Sequence, residues 1–244
     1  MPNVLFVDDR PTTISPYISA LEKQSEGYSI FSMTDPSSVT QEFLEHTSMS
    51  LAVVDMSFPR SPLSGLDVLT RLHIYSPETR LLIFSNADRS LSRRIELAWE
   101  ALPIAAAAAK NDEQTFVELA RWCCEEVAPL RRSDEELAMW LPEVVNPARR
   151  YDNWEVIMEH AGHARLVQAL YSFEDEPSHQ VLSNFTGNTL NAVRGYIQFV
   201  RDRLEYVMGY PRMLGPELHS FMRDARPLLE AHVARKSEKG QRAE

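Results

Sequence analysis

Cysteine is nearly absent from this chain of 244 residues. The only two cysteines, Cys123 and Cys124, are adjacent. They therefore fit neither a disulfide framework nor the spaced ligand pairs of a zinc site. We interpret them as reduced thiols in a protein core, and we expect a cytoplasmic location.

Long apolar runs are also lacking. No stretch reaches the ~18–20 apolar residues of a membrane span. The first residues, Met1, Pro2 and Asn3, show neither the basic start nor the apolar core of a signal peptide. The composition, 44% hydrophobic and 25% charged, is typical of a globular protein. We therefore expect no membrane partner.

Basic residues are outnumbered, with 25 Lys and Arg against 35 Asp and Glu, so the formal net charge is −10. Residues 1–130 hold 10 basic and 18 acidic side chains, whereas residues 183–242 hold 10 basic and 6 acidic ones. This asymmetry excludes a strongly basic nucleic-acid binder. It leaves a locally basic carboxyl-terminal part that could meet an anionic partner.

Four apolar runs in the first half of the chain each end at polar residues. Residues 4–7 precede Asp8 and Asp9, residues 51–54 precede Asp55, residues 81–84 precede Ser85, and residues 105–109 precede Lys110. Continuous apolar runs of this length are typical of buried parallel strands. Ligand sites of open parallel sheets lie beyond the carboxyl ends of the strands. We therefore expect these five polar side chains to line one crevice.

The expected crevice has a definite chemistry. The carboxylates of Asp8, Asp9 and Asp55 repel one another, so we expect them to bind a hard dication such as Mg²⁺. The amine of Lys110 and the hydroxyl of Ser85 suit a phosphoryl group beside that metal.

Helical patterns separate the apolar runs, at about residues 12–22, 35–46, 65–75, 90–102 and 113–127, and residues 28–33 predict a further strand. This alternation predicts a doubly wound, five-stranded parallel sheet with right-handed crossovers. The run of five alanines at residues 105–109 has the highest helix propensity of any residue type. We assign it to the fifth strand only because the alternation requires a strand there.

The five polar residues in this order resemble the receiver domain of bacterial two-component response regulators, over about residues 3–127. The resemblance implies a flavodoxin-like fold in which Asp8 and Asp9 form the acidic pair and Asp55 is the phospho-acceptor. It also implies that Ser85 is the switch hydroxyl and that Lys110 is the lysine of the receiver site. It further implies that the backbone carbonyl of Ser57 assists Mg²⁺ binding, that a sensor histidine kinase is a partner, and that the protein is not an enzyme.

Several features depart from the receiver pattern, and two of them lie in and just after the fifth strand. Ala107 occupies the place where the family carries an aromatic or bulky aliphatic switch residue, and Asn111 follows the lysine where proline is usual. By the same resemblance, phosphorylation would alter homodimerisation through the face formed by residues 90–102, the fifth strand and residues 113–127.

The second half of the chain predicts an all-α domain. We expect a receiver domain at residues 1–128, a linker with a short helix at 129–150, a helical output domain at 151–234 and a disordered tail at 235–244. Breaks are expected at residues 174–178, 186–188, 209–211 and 215–216, where glycine, proline or clustered polar residues occur.

Residues 166–204 contain a helix-turn-helix pattern, with a short helix, a turn at residues 186–188 and a longer amphipathic helix. The stripe of Val193, Ile197, Val200 and Leu204 resembles the recognition helix of LuxR-type response regulators. In that case promoter DNA is a partner, and the candidate DNA-contacting side chains are Asn191, Arg194, Gln198, Arg201 and Arg203.

Other interpretations stay open. The same stripe could simply face a helical core, with arginine and glutamine solvated. The acidic residues 174–176 lie beside the proposed DNA face. The helical domain could then bind a protein partner as an adaptor without contacting DNA. A third alternative is a receiver that is never phosphorylated and acts as a dimerisation platform.

Overall fold

The computed structural model describes residues 2–24, 27–125 and 131–241. The chain divides into two compact units, Met1–Val144 and Val145–Glu244. Among the described residues, no helix combines the length and apolarity needed to cross a membrane.

The first unit is built on a wholly parallel sheet with the strand order β2-β1-β3-β4-β5-β6. The strands are β1 (Asn3–Val7), β2 (Ser29–Met33), β3 (Leu51–Val54), β4 (Arg80–Ser85), β5 (Ile104–Ala109) and β6 (Arg132–Ser133). The first five follow the 2-1-3-4-5 order of flavodoxin-like folds, which confirms the predicted fold class. The sixth strand was not predicted, because two polar residues carry no apolar pattern.

The strand register brings the polar residues to one edge of the sheet. Val7 lies opposite both Met33 and Val54, and Val54 lies opposite Ile83. Ser85 lies opposite Ala109. Asp8, Asp55 and Lys110 each follow the last residue of their strand, so all of them emerge at the carboxyl edge.

The described part of the first unit contains the α-helices α1 (Pro11–Gln24), α2 (Gln41–His46), α3 (Gly65–Tyr75), α4 (Ser92–Ala101), α5 (Glu113–Glu125) and α6 (Glu135–Ala138). The predicted helix at residues 35–46 is in fact a 3₁₀ turn, Pro36–Ser38, followed by α2. The break between them allows Thr40 to cap α2 by accepting a hydrogen bond from the Phe43 amide.

An aromatic cluster fills the core between the sheet and the pair α1 and α5. The ring of Phe116 lies 4.7 Å from that of Phe84 and 5.9 Å from that of Phe6, centroid to centroid. All three side chains are at most 1% exposed. Burial of each ring stabilises the fold by roughly 1.5–3 kcal/mol, so the strands that carry the polar edge pack against a buried aromatic layer.

The alanine run forms a strand despite its helix propensity. β5 pairs with β4 on one side and with β6 on the other, and residues 106–109 are almost fully buried. Tertiary pairing therefore overrides the local preference. The register against β4 shifts between Leu81 and Leu82, which leaves Ala105 as the extra residue of a bulge.

The second unit is helical, as predicted. It contains α7 (Ala161–Ser172), α8 (His179–Thr186), α9 (Leu190–Asp202), α10 (Gly215–Asp224) and α11 (Arg226–Gln241), preceded by the 3₁₀ segments Pro147–Arg149 and Tyr151–Met158. Its centre is Trp154, whose fully buried ring stacks on Phe221 at 6.0 Å. The Trp154 Nε1 donates to the carbonyl of Arg149 at 2.8 Å, so this buried polar atom is satisfied.

Three details of the second half differ from the predicted organisation. Residues 131–144, assigned to a linker, lie within the first unit. The Gly215-Pro216 break is the start of α10, where proline is favoured. The predicted tail continues α11 as far as Gln241, and residues 242–244 lie outside the described residues.

Candidate functional site

Three aspartates converge at the carboxyl edge of the first five strands. Asp8 follows β1 and is 2% exposed, Asp55 follows β3 and is 5% exposed, and Asp9 is half-buried. Each offers a carboxylate oxygen, and these oxygens all lie within 4.8 Å of one another. The predicted convergence of the acidic side chains is therefore present in the structure.

Lys110 joins two of these carboxylates. Its Nζ lies 2.5 Å from Asp8 Oδ2 and 2.7 Å from Asp55 Oδ2, and the lysine side chain is 2% exposed. Such short charge-assisted contacts in a site sheltered from water hold the ammonium firmly. Three carboxylates and one ammonium leave a formal charge of −2, which matches the charge of one divalent cation.

Burial sets the acidity of the acceptor candidate. Loss of solvent raises the pKa of the Asp55 carboxyl above its ordinary value, and repulsion from Asp8 acts in the same direction. The Lys110 ammonium, and to a lesser degree the Ser57 amide, lower the pKa. The carboxylate thus depends on nearby positive charge for its ionised form.

Ser85 is the fifth of the polar side chains predicted to line the site. Its buried Oγ donates to Asp55 Oδ1 at 3.2 Å, from the end of β4. The Ser57 amide also faces Asp55 Oδ1, at 3.3 Å. The role of the Ser57 carbonyl as a metal ligand stays a prediction.

The residues at this edge fit a magnesium ion. Asp9 Oδ1 is buried and has no hydrogen-bond partner among the described residues, although Arg10 Nε lies 3.9 Å away. An unpaired buried carboxylate oxygen is costly unless a cation satisfies it. The donor set consists of hard carboxylate oxygens, which Mg²⁺ prefers.

Gly65 also shapes the site, although nothing in the sequence indicates this role beyond its place at the start of a helix. A Cβ at this position would lie 2.1 Å from the Asp55 carbonyl oxygen and 2.6 Å from Met56 Cα. Only glycine therefore lets the first turn of α3 pack directly behind the phospho-acceptor candidate.

The predicted DNA-contacting residues divide into two groups. Asn191, Arg194 and Gln198 are exposed on α9, whereas Arg201 is half-buried. Arg203 lies beyond α9, in a π-helical turn at Arg203–Val207, where it pairs with Glu159 at 3.3 Å and lies 4.9 Å from the Phe199 ring. Arg203 is thus already engaged within its own unit.

The geometry of α8 and α9 agrees with a helix-turn-helix pattern without deciding its role. Gly187 ends α8 in the left-handed conformation, φ +69°, and Thr189 caps α9 by accepting from the Ala192 amide at 3.3 Å. Val193, Ile197 and Val200 are buried, as both the DNA-binding and the simple core interpretations require.

Comparisons with known proteins found similarity to solved structures at low sequence identity. No family model and no curated protein match the sequence. A CheY-like receiver domain protein from Methanospirillum hungatei JF-1 is 19% identical, with 50% of this chain and 91% of that chain covered and a TM-score of 0.42. The isolated REC domain of RcsB from Salmonella enterica serovar Typhimurium, with phosphomimetic BeF₃⁻, is 16% identical, with 58% and 99% covered and a TM-score of 0.46. The Salmonella typhimurium RcsB response regulator is 11% identical, with 90% of this chain and 97% of that chain covered and a TM-score of 0.47.

Proposed function

We propose that this chain is a response regulator that a histidine kinase phosphorylates on Asp55 and that controls transcription through its helical unit. The observation that carries the proposal is the ammonium of Lys110, held 2.5 and 2.7 Å from Asp8 and Asp55 beside a third carboxylate. A buried lysine among carboxylates is an arrangement suited to receiving a phosphoryl group.

The chain's own residues account for the transfer. The Asp55 carboxylate attacks phosphorus, the bond from phosphorus to the donor atom breaks, and an aspartyl phosphate remains. Lys110, already 2.7 Å from Asp55 Oδ2, stabilises the added negative charge. Ser85, now bonded to Asp55 Oδ1, is placed to donate to a phosphoryl oxygen instead.

Asp8, Asp9 and Asp55 would hold Mg²⁺. When bound, the ion supplies Lewis-acid stabilisation of phosphoryl oxygens and cancels the formal charge of −2. Nothing in the proposal requires turnover of another substrate, so we assign no further enzymatic activity.

Intact mass tests the phosphoryl step. Protein incubated with Mg²⁺ and a small phosphodonor should gain one phosphoryl group, and Asp55→Asn should gain none. Asp88→Asn is the matched control, because that aspartate is exposed and only caps the 3₁₀ turn Arg89–Leu91. No gain in the wild-type protein, or a gain that survives Asp55→Asn, contradicts the proposal and favours the phosphorylation-independent dimer platform.

For the output, the exposed side chains of Asn191, Arg194 and Gln198 on α9 support DNA binding. Fluorescence anisotropy on genomic fragments should show binding that weakens steeply with salt. Arg194→Ala should reduce affinity, whereas Arg226→Ala, an exposed arginine paired with Glu230 on α11, should not. Equal losses in both variants would remove α9 as the DNA-contacting helix.

A second candidate output is protein binding. Val181 and Phe185, four residues apart on α8, are 40% and 52% exposed, and such exposed apolar neighbours are typical of protein contacts. Absence of DNA binding even at low salt favours this adaptor function. If Phe185→Ser leaves the DNA affinity unchanged, the apolar surface on α8 is distinct from the DNA-contacting surface on α9.

A further inference from the structure

The outer edge of β5 is covered by the chain itself. We use the term strap for residues 131–138, which contain β6 and α6. Ala106 and Ala107 pair with Arg132 and Ser133, and the Asp134 amide donates to the Ala107 carbonyl at 3.0 Å. The edge that we expected to serve a second copy of the chain is therefore occupied.

Two arginine–tryptophan contacts fix the strap to the flanking helices. Arg131 donates to the carbonyl of Trp99 and, at 2.9 Å, to that of Leu102, and its guanidinium lies 5.2 Å from the Trp99 ring. The Arg132 guanidinium lies 4.7 Å from the ring of Trp122 on α5. Both tryptophans are nearly buried, and aromatic residues held by arginine are typical of the centre of an interface.

The strap is anchored next to the acidic site. Asp134 Oδ2 accepts from the amide of Ala109, the residue before Lys110, and Oδ1 caps α6 by accepting from the Leu137 amide at 2.8 Å. The Asn111 side chain, directly after Lys110, donates to Glu136. The strap therefore bonds to the residues on both sides of the lysine that bridges Asp8 and Asp55.

The packing of the strap against the first unit leaves one buried polar atom without a hydrogen bond among the described residues. The Trp99 Nε1 is buried without a hydrogen-bond partner among the described residues, which disfavours this state. β6 has only two residues. In addition, Ala107 has no side chain that could rotate and relay a change, so the main-chain contacts of β5 are the available route.

We propose that the strap is a built-in occupant of the face formed by α4, β5 and α5, and that it is coupled to the acidic site through Lys110. When Lys110 leaves Asp8 for a new negative charge on Asp55, the contacts of Ala109 and Asn111 with the strap are strained. The strap then opens and exposes Trp99, Trp122 and the edge of β5. The trigger by phosphorylation rests on the proposed function, whereas the coupling of strap and lysine does not.

Hydrogen exchange followed by mass spectrometry tests the proposal on the full chain. After treatment with Mg²⁺ and phosphodonor, amide exchange across residues 131–138 should accelerate by roughly fivefold or more, as expected for an allosteric coupling. Exchange in β1 and β3 should stay unchanged. The intact mass of the same sample reports phosphoryl gain, so a gain in mass with unchanged strap exchange overturns this inference and leaves the proposed function standing.

Variants decide the inference when no phosphoryl group is taken up. Lys110→Ala removes the bridge, and Asp134→Ala removes the anchor on Ala109. Both should accelerate exchange across residues 131–138 relative to β1, while Arg121→Ala, an exposed arginine paired with Glu125 on α5, should not. Acrylamide quenching of tryptophan fluorescence should rise in the same two variants. Unchanged strap exchange in Lys110→Ala overturns the coupling.

Discussion

Lys110 Nζ lies 2.5 Å from Asp8 Oδ2, closer than its 2.7 Å contact with Asp55 Oδ2. The ammonium thus ties the end of β5 to the end of β1 across the two intervening strands of the sheet. In this arrangement the positive charge of the lysine offsets the negative charge of Asp8 as well as that of Asp55.

Lys110→Met should destabilise the first unit strongly without Mg²⁺. Removing one partner of a buried ion pair leaves uncompensated charge and costs about 3–5 kcal/mol. Urea unfolding should show this loss, and Mg²⁺ should restore part of it by replacing the missing positive charge. Arg121→Ala, which breaks an exposed pair, should change the free energy of unfolding by less than about 1 kcal/mol. Equal effects of the two substitutions would show that Lys110 compensates nothing.

Asp9→Asn should have opposite effects with and without the metal. Without Mg²⁺ it should raise the free energy of unfolding, because it relieves repulsion and because Asp9 Oδ1 has no hydrogen-bond partner among the described residues to lose. With Mg²⁺, the wild-type protein should gain about 2.7 kcal/mol at a hundredfold excess over Kd, and the variant should gain much less. Titration calorimetry and urea unfolding measure both quantities. A variant that keeps the full Mg²⁺ gain places the ion elsewhere.

Gly65→Ala should destabilise the first unit by about 1–3 kcal/mol, since the added methyl group overlaps the Asp55 carbonyl oxygen at 2.1 Å. It should also slow phosphoryl uptake, because the backbone of the acceptor must shift. Gly195→Ala is the matched control. A Cβ there meets nothing within 4 Å, so in the interior of α9 it should stabilise by up to about 1 kcal/mol. A neutral Gly65→Ala would show that the close approach is easily relaxed.

Neither cysteine should react readily with alkylating reagents while the protein is folded. Burial raises the pKa of the Cys123 thiol to about 12 and also raises that of Cys124, and the thiolate is the reactive form. An unfolded cysteine thiol has a pKa of about 8.5, below the pKa of about 12 of folded Cys123. Unfolding at a pH between these two pKa values therefore releases a proton. The free energy of unfolding should therefore fall as the pH rises through that window. Rapid labelling of both thiols at pH 8 without denaturant would contradict this.

Much of the site could be predicted because each buried strand is an apolar run that ends at a polar residue. Apolar runs ending in Asp8, Asp55, Ser85 and Lys110 predict both the sheet and the convergence of these residues, since parallel strands share a carboxyl edge. The alanine strand was predictable only from its place in the alternation. Its local propensity favours helix, and its pairing with β4 and β6 is a tertiary effect.

The strap and the role of Gly65 could not be predicted in the same way. β6 has two polar residues, Arg132 and Ser133, and the contact of the Asp134 carboxylate with the Ala109 amide joins residues 25 positions apart. Neither feature produces a hydrophobic periodicity that the sequence alone would reveal. The close packing of Gly65 depends on how α3 meets β3. For the helical unit, the buried stripe of α9 is common to a recognition helix and to a plain core helix, so the pattern alone does not distinguish them.

The position of the phosphoryl group on the chain tests the proposed phosphorylation of Asp55. Protein treated with Mg²⁺ and a phosphodonor is reduced with borohydride, which converts an aspartyl phosphate to homoserine, and is then digested and sequenced by mass spectrometry. We expect homoserine at position 55 and at no other aspartate. Homoserine at another aspartate would contradict phosphorylation of Asp55. So would the absence of homoserine when a control protein with an aspartyl phosphate yields it under the same conditions.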